Sequence, residues 1–460
     1  MTNVDPYEGE VGDDVDIIGE NFSTTLGENQ VKFGNVDAEV TNATATKLDV
    51  TVPDGAETAK ITVTINNQTA TSENEFVVND PSPKILSFTP TEGGPGTEVT
   101  ITGIGLEANY GSDKYNISFS GNGAEPQVLS VSDTELVVVV PGSLITGPIS
   151  IYLDGETITS EDDFILLTGR WTQLDDFGGA ERYDAQMFAL NELLYIGMGA
   201  NFNLEGELKD LWEYNLSDGT SLQLDDFLGE ARNKGVGYNI DGKFYYGGGE
   251  SNYDFWEYDP ETEEWTQKAD LGHLTDWRAN AAAFSIDGKG YVFGGTNALG
   301  EYSDMLEYDP ENNTWKNIPG PPADGRQGHI AFAIGNKGYI GCGYTGDDQS
   351  LSDLWEYDPE QENPWSAISV PFKKRSEAIS FVVEGKGYIG LGYDSGTDEI
   401  FNDLWEFDPV KNEWTKKLGF PGEERFSSSA VDLNGRGYVG LGYTFGKYFN
   451  DIWEFDPQNE

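Results

Sequence analysis

Cysteine occurs once in 460 residues, as Cys342, so no disulfide can form within the chain. Histidine occurs twice, as His273 and His329, and no zinc-ligand spacing accompanies either. Basic residues are scarce: 27 Lys and Arg stand against 81 Asp and Glu, a net charge of -54. A polyanion of that size is repelled by nucleic acid and by anionic membrane surfaces, so neither is expected as a partner. Solubility at high ionic strength or in a crowded extracellular setting is the plain reading of the charge. Long apolar runs are missing, whether of membrane-spanning length or at helical spacing. Also missing are a Gly-x-Ser-x-Gly elbow, a phosphate loop and an EF-hand loop. Catalytic residues, metal and cofactor are therefore expected to be none. Acidic pairs such as Asp347-Asp348 and the run Asp394–Asp398 read as solvated carboxylates.

What the chain does have is glycine, 57 residues, and aromatics, 13%. That profile predicts many short strands joined by tight turns. Residues 4–22 (VDPYEGEVGDDVDIIGENF) and 88–106 (FTPTEGGPGTEVTITGIGL) share a proline, Glu-Gly, a further Gly and an alternating strand. Val15 with Ile17, and Val99 with Ile101, carry the period-2 signature of a half-buried strand. Each stretch is followed by a β run ending in proline, LDVTVP and LVVVVP, and by a last strand, EFVV and DFILL. These features resemble IPT/TIG domains and imply two immunoglobulin-like β-sandwiches, over 1–80 and 81–168. The second opens with the strand Pro83–Ser87, which the first nearly lacks. A precursor trimmed at its front is therefore expected, with Met1 an added start and a signal and lipid anchor in the lost part.

From residue 169 one unit recurs six times. Arg182, Arg232, Arg278, Arg326, Arg375 and Arg425 stand 46 to 50 residues apart, each opening a strand of small residues. Nine residues after them come the turn positions Asn191, Asp241, Asp287, Gly335, Glu384 and Asn434. A Gly-Tyr strand follows (KGYVFGG, KGYIGCG), then a variable loop, Asp-Leu-Trp-Glu-Tyr/Phe-Asp-Pro, and a Trp strand. The period and the glycine, tyrosine and tryptophan offsets resemble kelch repeats, which implies a six-bladed β-propeller over 169–460. The last unit lacks its Trp strand, while Arg170–Leu174 (RWTQL) stands spare at the front, so that segment is expected to close the ring beside Ile452–Phe455.

Alternating strand direction puts the long d–a and b–c loops on one face, where binding is expected. The six arginines are expected to ring the axial pocket on that face and to clamp carboxylate or sulfate groups, or else to pair with the acids just before them (Glu181, Glu230, Asp276, Asp324, Glu424). Trp277 stands outside both repeat positions and is expected to be a stacking platform, with Tyr183 and Phe426, each directly after an arginine, in the same role. A copper site of the galactose oxidase kind is not expected from His273, His329 and Cys342. The combined resemblance is to surface proteins of Bacteroidota. It implies a non-enzymatic, surface-displayed lipoprotein on the outer membrane, with the sandwiches as stalk and the propeller face binding a glycan or a partner protein of an uptake complex. The alternative it leaves open is an enzyme similar to the kelch propeller N-acetylneuraminate epimerase, a sialic acid mutarotase.

Overall fold

A computed structural model describes residues 1–79, 83–106, 116–121, 125–142, 144–153, 156–203, 206–272, 277–346 and 349–458. The chain forms two compact units, Met1–Leu166 and Leu167–Glu460. Among the described residues, every regular element apart from one 3-10 turn at Leu26–Glu28 is a strand.

The first unit holds two sandwiches. In the first, Asp14–Ile18 pairs Asn3–Asp5 and Lys47–Thr51, with Val40–Ala43 at the edge. Against it lies a five-stranded sheet of Glu8–Gly9, Gln68–Val78, Ala59–Ile65, Gln30–Phe33 and Val36–Ala38. The alternation seen in the sequence decides the packing: Val15, Ile17, Leu48 and Val50 face Val31, Phe33, Ile61 and Val63 in one dry core. Each fully buried side chain of this kind contributes about 1.5–3 kcal/mol. The second sandwich repeats the plan, with Val99, Ile101, Leu136 and Val138 against Ile117, Ile149, Ile151 and Phe164. Its lead-in strand Lys84–Thr89 has six residues, where the first sandwich has three in Asn3–Asp5.

Among the described residues, the second unit contains six four-stranded antiparallel sheets, each ordered a-b-c-d. The first runs Gln186–Leu190, Leu193–Gly197, Leu211–Asn215 and Ser221–Gln223. The sixth takes three strands from the end of the chain, Ser429–Leu433, Arg436–Gly440 and Ile452–Asp456, and its fourth from Arg170–Gln173. The pairing is Arg170↔Asp456 through Gln173↔Trp453, as the spare RWTQ segment required. All six turn positions nine residues after the arginines have φ between 49° and 60°, the left-handed region that a two-residue hairpin demands.

Two repeat letters acquire a reason here. The Trp opening strand d reaches back one blade: Trp315, Trp365 and Trp414 donate Nε1–H to the carbonyls of Ala269, Pro319 and Ser369, and Trp171 to Leu418. The glycine of Lys-Gly-Tyr sits under an aromatic ring of the preceding blade. A Cβ on Gly290, Gly338, Gly387 or Gly437 would lie 2.2–2.6 Å from Tyr238, Phe284, Phe332 or Phe381, so only glycine lets the blades approach this closely. Cys342 lies just past strand b, which ends at Gly341, and not inside it. It is buried with φ 58°, and burial pushes its thiol up to about 12, which leaves it inert.

Candidate functional site

The loop-bearing face is built by hydrogen bonds between d–a and b–c segments. Tyr183, Ala279, Gln327, Ser376 and Phe426 each bridge the start of their own blade's b–c segment, at Ala200, Thr296, Tyr344, Tyr393 and Tyr443. The arginine before each of these residues turns inward and away from solvent.

That direction corrects the expected ring of guanidinium groups. Arg182, Arg232, Arg278, Arg326, Arg375 and Arg425 are 0–5% exposed. Each bonds the carboxylate that precedes strand c: Asp210, Asp254, Asp304, Asp353, Asp403 and Asp451, at 2.5–3.0 Å. Nη1 also donates to a carbonyl sixteen residues on, at Met198, Gly248, Gly294, Cys342, Leu391 and Leu441. Most are covered by a ring, as Arg425 is by Phe420 and Phe449 and Arg278 by Tyr302. Burial alone would raise the carboxyls of Asp210, Asp254, Asp353 and Asp403, but their arginine partners outweigh it and hold them below the ordinary range. The guanidinium forks are thus spent on locking strand c to the start of strand a. The acids next to the arginines in sequence are not the partners; of those, Asp276, like His273, lies outside the described residues.

The residue two after each arginine reaches the axis instead: Asp184, Lys234, Asn280, Gly328, Glu377 and Ser427, all with φ of 50–58°. Their backbones link blade to blade, with Asn280 N donating to Lys234 O, Gly328 to Asn280, Glu377 to Gly328, Ser427 to Glu377 and Asp184 to Ser427, at 2.7–3.1 Å. These six, with Gln186, His329 and Ser428 below, line an axial cavity of about 130 Å³. Its acidic half is Asp184–Ser427–Glu377, where the Ser427 hydroxyl donates to Glu377 Oε2 at 2.7 Å. Burial, and then the charge of Glu377, lift the Asp184 carboxyl to about 7 against the pull of Ser427 and Lys234. Burial raises Glu377 too. His329 is 8% exposed, and burial, then the Arg326 cation, push it down to about 3 against the pull of the Phe293 backbone, so it is a neutral imidazole.

Beside this cavity lies a cluster of seven rings from three blades. Tyr183 meets Phe202, Tyr443 and Tyr448 at 5.7–6.3 Å, while Phe426 meets Tyr393, Tyr443 and Phe445 at 5.2–6.1 Å. Phe202 and Phe445 are 60% and 64% exposed. A second cavity, about 220 Å³, opens among Tyr344, Ser376, Glu377, Tyr393, Ser395 and Phe426, so Glu377 borders both. Tyr183 and Phe426 therefore stand where a stacking role was expected. Trp277 is half-buried, lines neither cavity, and makes no ring contact or hydrogen bond among the described residues. Sequence reasoning missed the two axial carboxylates, although their fixed offset from the arginines was readable. It also missed Tyr393 and Tyr443, which follow the Gly-x-Gly of strand b in their blades, and Phe202, Phe445 and Tyr448, which carry no repeat signature.

Asp394, in the acidic run Asp394–Asp398, accepts from Gly396 N and Thr397 Oγ1 and pairs with Lys374; Asp347 and Asp348 lie outside the described residues.

Comparison with known proteins agrees with this architecture. A family model described as the KLHDC2/KLHL20/DRC7 Kelch-repeats domain matches residues 185–376, 240–419 and 318–460, and the IPT/TIG domain model matches 1–78 and 83–164. No curated protein matches the chain. Among solved structures, one titled "Structure of YjhT" aligns with a TM-score of 0.52 at 17% identity, over 61% of this chain and 95% of that one. At that identity the likeness concerns the fold alone.

Proposed function

The chain belongs to the kelch-repeat family, with two IPT/TIG domains ahead of its propeller, and from that premise we propose a surface-displayed, non-enzymatic protein that binds a neutral glycan. The observation that carries this reading is the seven-ring cluster, two of whose rings are more than half exposed beside carboxylates. A sugar presents an apolar C–H face that stacks on such rings and hydroxyls that donate to Glu377 and Asp398 at their edge. Large exposed aromatics in one patch are costly unless something covers them. With the guanidinium groups turned inward, no arginine among the described residues lining the axial cavity is left to clamp an anionic ligand. The sandwiches would serve as stalk, and a lipid anchor ahead of them would hold the chain on the outer membrane.

The test is a glycan array probed with the full chain, followed by calorimetry on the hits. Replacing Phe202 and Phe445 by Ala removes two stacking rings worth on the order of 1 kcal/mol each, so affinity should fall at least tenfold, with the melting temperature unchanged. Glu261→Ala, on the opposite turns, should change nothing. Failure of the chain to bind any neutral glycan, or full affinity in the double variant, would sink the reading.

The epimerase-like alternative has one observation in favour, the paired Asp184 and Glu377 at the axial cavity, two carboxyls that burial raises and that can hold and release a proton. Against it stands the lack of any guanidinium facing the cavity to hold a sialic acid carboxylate. Following the anomers of free sialic acid by NMR separates the two readings.

A further inference from the structure

We propose that the groove beside strands c and d of blade 3, Met305–Asp309 and Thr314–Ile318, docks a tryptophan side chain of a basic partner protein. The support comes from the repeat itself. In blades 1, 2, 4, 5 and 6, strand c sets Trp212, Trp256, Trp355, Trp405 and Trp453 beside the arginine-bound carboxylate. Each of these indoles donates Nε1–H to the carboxylate's Oδ2 at 2.7–2.9 Å. In four of these blades the d–a loop adds a phenyl ring, with Phe177, Phe227, Phe372 and Phe420 lying 5.4–6.4 Å from the indole. Blade 3 has neither ring. Its strand c opens Met305-Leu306-Glu307, so Leu306 stands in the tryptophan's place. Leu271 stands in the phenyl's place, its N–H on Tyr253 O just as that of Phe227 is on Lys209 O.

A cavity of about 640 Å³ opens at this position, larger than the axial one and of the size that ligand pockets have. Leu271, Leu306, Tyr302 and Trp315 wall it, with Asp304 and Asn317 at its edge. Asn317 lies opposite Leu306 on strand d and sends Nδ2 to Asp304 Oδ2 at 2.7 Å, the oxygen that takes the indole elsewhere. An exposed amide thus stands in for the missing ring's donor. The arginine differs as well. Arg278 meets both oxygens of Asp304 through Nη2 alone, where the other five divide them between Nη1 and Nη2. A tryptophan entering from a partner restores the pattern of the other blades. Its ring packs against Leu271, Leu306 and Trp315, and its N–H displaces the Asn317 amide on Asp304. Aromatic side chains seated in such pockets dominate the energy of protein interfaces. The partner is basic because a chain of charge -54 gathers cationic segments. The groove uses none of the seven clustered rings, so it stands or falls independently of the glycan reading.

The experiment follows the fluorine signal of acetyl-Lys-(5-fluoro-Trp)-Lys-amide as the full chain is titrated in. Competitors are the unlabelled peptide and peptides with alanine or 1-methyltryptophan in the central place. Burial of the indole should let the tryptophan peptide compete about tenfold better than the alanine one. The methylated indole, without its N–H, should lose about threefold. Leu306→Trp puts the repeat's own indole in the groove, so binding should fall at least tenfold while the melting temperature holds or rises. Asn317→Ala, an exposed change, frees the Asp304 oxygen and should tighten the peptide about threefold. Phe202→Ala with Phe445→Ala should leave binding intact, which separates this groove from the ring cluster. Hydrogen exchange read by mass spectrometry needs no variant and should show the peptide protecting 269–272 and 302–317. Equal competition by the alanine peptide, no binding at all, undiminished binding in Leu306→Trp, protection confined to the ring cluster, or binding lost in the Phe202/Phe445 variant would each overturn the proposal.

Discussion

A buried guanidinium is tolerable only when its donors are met, and the six arginines meet theirs with a carboxylate, a carbonyl and usually an aromatic face. Removing one partner strands the other. Asp403→Ala should destabilise the propeller by about 3–5 kcal/mol in urea titration, because Arg375 would stay buried and charged. Arg375→Met combined with Asp403→Leu should cost clearly less than that single change; an equal or larger loss would mean the pair is worth more than its removal of desolvation cost. Asp184 titrates in the opposite sense. Its folded carboxyl sits near 7, above the ordinary 3.8, so the protonated form is favoured by folding. Its contribution is fully present below about pH 4 and is lost as pH rises through 7. Asp184→Asn should therefore melt like the parent at pH 4 and progressively higher than it from pH 5 to 8. A melting difference independent of pH would show that burial and the charge of Glu377 do not raise the Asp184 carboxyl.

At the scale of strands, blades three to six are each tied to the previous one by a tryptophan on a carbonyl and a ring on a glycine, and the last tie runs from Trp171 to Leu418 and Phe420. Deleting residues 1–166 should leave a monomeric, cooperatively melting propeller. Deleting 1–174 removes strand d of the sixth blade and exposes the edge of Ile452–Asp456, so light scattering should report aggregation. Equal melting and equal monodispersity of the two truncations would refute the closing role of Arg170–Gln173. The same bookkeeping explains the Glu of Asp-Leu-Trp-Glu: Glu257, Glu356 and Glu406 each receive the lysine and the tyrosine of the neighbouring strand b.

Across the whole molecule, a net charge of -54 repels itself over distances that salt screens. The Debye length shrinks from about 30 Å at 0.01 M to about 3 Å at 1 M, while the buried arginine pairs are shielded from that effect. The melting temperature should rise with sodium chloride over this range by calorimetry. A fall would mean that the exposed lysine pairs outweigh the general repulsion.

How much was legible in the sequence follows from the same division. Period-2 alternation in two related modules, a repeat of 46 to 50 residues and a spare RWTQ segment were enough to specify two sandwiches and a closed propeller. Those features are local or periodic, and backbone pairing follows from them. They also placed the arginines, but not their partners. Arg182 and Glu181 are neighbours in the chain, yet Asp210, 28 residues on, is the acid that folding brings within 2.7 Å. The residue two after each arginine has a left-handed φ of 50–58°, which breaks the strand alternation, so the arginine faces the blade while that residue reaches the axis. The charge at the heart of the binding face was thereby reversed, from six guanidinium groups to two carboxylates. Tyr183 and Phe426 were visible beside their arginines and Tyr393 and Tyr443 after Gly-x-Gly, but Phe202, Phe445 and Tyr448 lie in loops of no fixed pattern. Only the ring closure that sets blades 1, 5 and 6 side by side gathers them, because a contact between distant segments is a property of the closed fold and of no single stretch of chain.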